Sequence, residues 1–233
     1  MSWVITGSEK TPVDPQFTSV SLLLHGDGAN GSTTITDSSR NAVALTRAGN
    51  TPPTISTAQS KYGGSSILFT NSGGASSYLD LAASSLFSFP SDFTFECWVY
   101  VLSQAAAFGS TIIETAGDFT NGIVLRGDNL QTSWSWTVGG SSIGGGALTL
   151  NAWIHLAVSR SGSTIRVFRN GVQQGTATNA ITINPTAGVS RIGEGIAATN
   201  RGFVGHIDDL RITKGVARYT ANFTPPTAPF PDI

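Results

Sequence analysis

Apolar and polar residues alternate with a period of two through most of this chain, the signature of half-buried strands. The clearest run is Phe93-Thr94-Phe95-Glu96-Cys97-Trp98-Val99-Tyr100-Val101, whose odd positions are all apolar while Thr94, Glu96, Trp98 and Tyr100 share the other face. Similar signals predict strands at Val20–His25, Ser66–Thr70, Tyr78–Leu81, Thr111–Thr115, Ile123–Arg126 and Ser133–Val138. Trp153–Arg160 and Thr164–Arg169 pair through a Ser-Gly-Ser turn, and Asn170-Gly171 favours a type I′ hairpin into Val172–Thr176. Arg191–Gly193 and Phe203–Thr213 close the series, and only Gly215–Arg218 hints at helix. A dozen short strands with turn residues between them predict an all-β, antiparallel two-sheet sandwich.

The ends break this pattern. Residues 1–18 form a polar arm with Pro12 and Pro15, and the body then runs from residue 19 to 218 without a linker. From Tyr219 to Ile233, Pro225, Pro226, Pro229 and Pro231 exclude helix and central strand, so an extended tail is expected.

Composition supports the strand reading. Only 12% of the 233 residues are charged, with three Lys and four Glu, whereas Ser and Thr number 28 each and Gly 27. A helical surface needs the long polar side chains that are missing here. The net charge is −1 without a cluster of Lys and Arg, which argues against a nucleic-acid partner. No stretch nears the ~20 apolar residues of a membrane span, and the first ten residues lack a signal-peptide core. Cys97, the single cysteine, lies in a strand pattern and reads as a buried thiol rather than a nucleophile.

Three segments in series resemble the laminin G-like branch of the concanavalin A-like lectin/glucanase superfamily. They are Leu22-Leu23-Leu24-His25-Gly26-Asp27-Gly28 with Ile35-Thr36-Asp37-Ser38-Ser39, then Phe93–Val99 followed by Trp153–Arg160 and Val167–Gly171, and finally Gly205-His206-Ile207-Asp208-Asp209-Leu210-Arg211-Ile212. The resemblance spans residues 19–213 and implies a jelly-roll sandwich with its first and last strands side by side. Arm and tail would then emerge together, either to dock on a neighbouring subunit in a homo-oligomer or as frayed ends. The fold hosts lectins, glycosidases and adhesion modules alike, so function must come from the site.

Catalysis finds little support in these residues. Retaining glycosidases of the superfamily carry a Glu-x-Asp-x-x-Glu strand, and Glu96 has no acidic partner two or five positions on. No serine occupies a Gly-x-Ser-x-Gly elbow, and His25, His155 and His206 sit in strand patterns. A structural Ca²⁺ fits better, because Asp27 and Asn30 share a glycine-rich turn that Asp208 would approach if the first and last strands pair. The alternative is that Asp27 and Asn30 make Asx-turn bonds while Asp208 pairs with Arg211 or a loop amide. For ligand recognition, Asp118, Asn121, Arg126, Trp134 and Trp136 fall within one short stretch rich in aromatic and hydrogen-bonding groups. Trp134 and Trp136 share one strand face, which is a sugar platform if open and core if covered.

An extracellular type of domain with no export signal and one cysteine is reconciled by a protein made in a host cytoplasm and released by lysis. The closing stretch Gly215–Pro226 is also similar to laminin G-like modules of phage structural genes. The expectation is a non-enzymatic phage virion protein, held to other virion proteins by arm and tail and adhering to a host surface glycan. The alternatives are capsid decoration and a free bacterial carbohydrate-binding module.

Overall fold

A computed structural model of the chain describes residues 13–71, 76–103, 109–115, 119–128, 132–183, 188–196 and 201–233. Its strands begin with β1 (Val20–Leu24), β2 (Leu45–Ala48), β3 (Thr54–Ser56), β4 (Ser66–Thr70), β5 (Tyr78–Leu81), β6 (Phe93–Val101) and β7 (Thr111–Glu114). They continue with β8 (Ile123–Gly127), β9 (Ser133–Val138), β10 (Ser141–Ala147), β11 (Trp153–Ser161) and β12 (Thr164–Arg169). The last three are β13 (Val172–Thr178), β14 (Ser190–Ile192) and β15 (Val204–Lys214). An eight-stranded sheet runs β13-β12-β11-β6-β15-β4-β3, with β1 pairing to β15, and a seven-stranded sheet runs β10-β9-β8-β7-β14-β5-β2. All of these pairings are antiparallel. This is the expected jelly-roll sandwich.

Period-two alternation sorts each long strand into an inner and an outer face. The odd residues of β6 join Leu79, Leu81, Ile123, Leu125, Ile154, Leu156, Val158 and Ile192 in one core between the sheets. β2, β3 and β10 escape the sequence pattern because they are short or, in β10, carry three consecutive glycines. The residues after Gly215 are not helical, since Arg218 is drawn to Asp14 and Thr213 instead.

The tail neither frays nor leaves the domain. It is extended, as its prolines require, and crosses the outer face of the eight-stranded sheet. Tyr219 stacks on Phe223 at 3.6 Å, and Phe223 packs edge-on against Phe168 and His155. The Phe223 amide donates to the Gly171 carbonyl, and a Cβ at Gly171 would collide with the Phe223 carbonyl, so this hairpin glycine also admits the tail. Tyr62 donates to the Pro226 carbonyl, and Phe230 buries beneath the Arg211 guanidinium with Phe17, Val20 and Leu23. The Asp14 amide donates to the Ile233 carbonyl, so the two ends meet as expected, but on their own sheet. Residues 13–18 and 219–233 are therefore packed on their own domain rather than frayed. Residues 1–12 lie outside the described residues.

Candidate functional site

The outer face of the seven-stranded sheet carries a row of charged side chains set by strand register. Asp80 on β5 lies opposite Arg191 on β14, and Arg191 lies opposite Glu114 on β7. Arg191 pairs with Asp80 through Nε and Nη2 at 2.7 and 3.1 Å, and lies 3.7 Å over the Tyr78 ring. Glu194 is buried beside this pair, and burial raises its pKa despite Arg191. Its Oε2 has no hydrogen-bond partner among the described residues.

Next along the sheet, Glu114 is buried and its Oε2 accepts from the Ile196 amide at 3.0 Å. Arg126 on β8 and Arg201, just before β15, both approach Phe119, with guanidinium carbons 5.2 and 5.5 Å from the ring centre. Burial and the nearby Arg201 charge lower the Arg126 pKa, while Glu114 opposes them. Each arginine has a buried Nε–H without a hydrogen-bond partner among the described residues. Fixed charges and unmet donors on one sheet face suit a ligand rich in hydroxyl or oxyanion acceptors.

Of the residues singled out in the sequence, Arg126 is in this cluster. Trp134 and Trp136 are not: they are 0% and 1% exposed, and both point between the sheets into the core. The covered-face alternative therefore holds, and the expected indole platform is corrected, because β9 turns its serines outward. Asn121 lies in the turn before β8, and Asp118 lies outside the described residues. Sequence reasoning placed Phe119 and Arg201 only in loops that could line a site, Asp118–Asn121 and Ile196–Arg201, and missed Asp80, Glu114, Arg191 and Glu194 as site residues. Strand parity signalled Glu114 and Arg126, but the pairing of β14 between β5 and β7 has no local signature.

The turn after β1 behaves differently. β15 carries a bulge between Asp208 and Arg211, with Asp209 at φ 45°, so Asp208, Asp209 and Arg211 all reach the outer side. Asp208 Oδ2 accepts from the Lys61 and Tyr62 amides, as the loop-amide alternative foresaw. Its Oδ1 is buried and has no partner among the described residues. Burial, reinforced by Asp209 and Asp27, pushes its pKa up to about 7. The Asp27 carboxylate lies against Gly63, where a Cβ would displace it. Asp209 is 2.5 Å from His25 Nδ1, and burial fails to stop this carboxylate from raising the His25 pKa. Asn30 Oδ1 accepts from the Thr57 amide at 3.1 Å. Among the described residues no three His, Cys, Asp or Glu side chains form a metal-holding group. Asp27 and Asp208 are hard oxygen donors of the type calcium takes, and the Asp208 Oδ1 has no partner among the described residues.

Glu96 is bound into a structural network. Its Oε1 accepts from Arg211 at 2.7 and 3.0 Å, its Oε2 accepts from the Tyr219 hydroxyl at 2.7 Å, and His155 Nε2 lies 3.3 Å away. Asp14 closes the network onto Arg211 and Arg218 at 3.2 and 2.6 Å. Burial alone would raise the Glu96 pKa, but Arg211, His155 and Tyr219 hold it down at about 2.

Residues 72–218 match the model of a laminin G family within the concanavalin A-like lectin/glucanases superfamily. The chain belongs to that superfamily. Its fold matches domain 4 of AbnA, a GH43 extracellular arabinanase from Geobacillus stearothermophilus solved with arabinotriose (TM-score 0.60, 21% identity, 85% of this chain and 94% of that one). It also matches botulinum neurotoxin type C, which interacts with two ganglioside molecules (TM-score 0.63, 15% identity, 86% of this chain and 49% of that one). A third match is the binding domain of Paraclostridial Mosquitocidal Protein 1 (TM-score 0.61, 15% identity, 85% of this chain and 50% of that one). The superfamily chain thus spans about half the length of the two toxin structures. No curated protein sequence matches it significantly.

Proposed function

We propose that this superfamily member is a non-enzymatic carbohydrate-binding module whose ligand lies on the outer face of the seven-stranded sheet. The carrying observation is the cluster of Arg126, Arg201, Glu114, Arg191 and Asp80 around Phe119 and Tyr78, with buried donors lacking partners on a lectin-like fold. Paired carboxylate and guanidinium groups recognise sugar hydroxyls, and ring faces take the CH surface of a pyranose or furanose. The arabinotriose-bound domain and the ganglioside-interacting toxin support this reading as carriers of the same fold. Glu96 is engaged by Arg211 and Tyr219, which favours binding over hydrolysis. A glycan array probed with the labelled protein tests it: binding to a defined set is expected, and none at high protein concentration refutes it.

The finer reading is a tail-fibre or tail-associated adhesin of a phage virion, attaching to a host surface glycan after release by lysis. The composition and the lone buried Cys97, whose thiol pKa burial and the Glu96 charge raise, suit folding in a reducing compartment. Detection in purified particles supports the virion role, and its absence from them removes that role while leaving the binding module. A structural Ca²⁺ held by Asp27 and Asp208, completed by backbone carbonyls and water, belongs to the same proposal. Bound there, the ion would supply positive charge to two carboxylates that interact unfavourably without it.

A further inference from the structure

We infer that the ligand taken at the Arg126–Arg201 cluster carries an oxyanion: a carboxylate, sulfate or phosphate group on a glycan. The inference rests on the binding-module reading and narrows its substrate class. Arg126 and Arg201 converge on one aromatic ring, at 5.2 and 5.5 Å from the centre of Phe119. Burial first, and the nearby Arg201 charge second, lower the affinity of Arg126 for its proton, with Glu114 opposing both. Neither forms an ion pair with a carboxylate among the described residues, in contrast to Arg191 with Asp80, Arg211 with Glu96 and Arg218 with Asp14. The buried Nε–H of each lacks a hydrogen-bond partner among the described residues. Elsewhere this chain satisfies the arginines it buries, with carboxylates or, for Arg160, with the Ser91, Ile181 and Phe89 carbonyls; here two half-buried ones keep unmet Nε–H donors.

A neutral sugar would hydrogen-bond the guanidiniums but not balance their positive charge. An oxyanion does both, because guanidinium donors match two oxygens of a carboxylate, sulfate or phosphate in plane. Glu114, buried one strand away and within electrostatic reach of Arg126, adds a constraint. It repels a second negative charge on its side, which favours a single charged group flanked by neutral hydroxyls over a densely charged polymer.

The test is calorimetric titration of the full chain with matched probes. Sialyllactose, a tri-galacturonate, a sulfated trisaccharide and a glycerol-phosphate oligomer are compared with lactose and a carboxyl-reduced tri-galacturonate. At least one charged probe should bind at least tenfold more tightly than its neutral counterpart, and whichever does so identifies the source of the oxyanion. Raising NaCl from 50 to 500 mM should weaken that binding severalfold. R126Q and R201Q should each weaken it by about ten- to hundredfold, with R126K retaining part of it. Thermal melts of the variants check folding, and the neutralised-ligand comparison on the unaltered protein decides the question if they fail to fold. Equal affinity for charged and neutral probes overturns the oxyanion assignment and leaves the carbohydrate reading standing. Binding to none of these probes, or to any glycan on the array, overturns both.

Discussion

Replacing Glu96 by Gln isolates the electrostatic part of the clasp that holds the tail. The side chain keeps its shape and can still accept from Tyr219, but the charge facing Arg211 is gone. In the unfolded chain this carboxyl titrates near 4.5, and in the folded protein it is held down to about 2. At about 1.4 kcal/mol per pH unit, that gap contributes about 3 kcal/mol to stability. A depressed carboxylate stabilises the fold fully above its unfolded pKa, and the contribution falls as pH drops from there toward the folded value. By pH 3 roughly 2 kcal/mol should be lost. Removing one member of a buried pair also strands its partner, so E96Q should lose about 3–5 kcal/mol at pH 7, moderated by Asp14 on Arg211. Urea unfolding of both proteins at pH 7, 5, 4 and 3 gives the difference. It should shrink by roughly 2 kcal/mol between pH 6 and pH 3, while shifts common to both proteins, such as those from Glu194, cancel. A difference that stays constant with pH refutes the network as an electrostatic clasp.

Gly171→Ala should loosen the tail, because the new methyl meets the Phe223 carbonyl at a φ of 76°; faster amide exchange at Phe223 with the core protected would show it. Trp136→Ala should cost about 3–5 kcal/mol in urea unfolding without weakening glycan binding, and a stable variant with lost binding would restore the indole platform. Millimolar Ca²⁺ should raise the melting temperature and EDTA lower it, whereas Asp208→Asn should abolish the response; an unchanged melt with chelator removes the ion.

The sandwich was legible because burial in a two-layer β protein writes itself into residue parity. Phe93–Val101 displays its inner and outer faces directly, and the core residues follow the odd positions. β10 was not legible, since Ser141–Ala147 offers a single large apolar side chain, Ile143, to the core. The tail shows where local rules stop. Its prolines dictate an extended path, but only the three-dimensional juxtaposition of His155, Phe168 and Gly171 creates the surface that Tyr219 and Phe223 cover.

The same reasoning explains why the candidate site was half seen. Arg126 stood out as a charge in an apolar strand, but its partners come from elements distant in sequence: Phe119 precedes β8, Glu114 lies on β7, and Arg201 precedes β15. The two outer faces also resolve their charges differently. On the eight-stranded sheet, Glu96, Arg211, Asp14 and Arg218 neutralise one another, and the tail buries them. On the seven-stranded sheet, Asp80 and Arg191 form a pair, while Arg126 and Arg201 both approach Phe119 with an Nε–H donor unmet among the described residues. A buried polar group without a partner costs about 1–3 kcal/mol, and a ligand that supplies the partner recovers that cost on binding. The unmet arginine donors, rather than the presence of charge alone, are what support the proposed recognition site on the seven-stranded sheet.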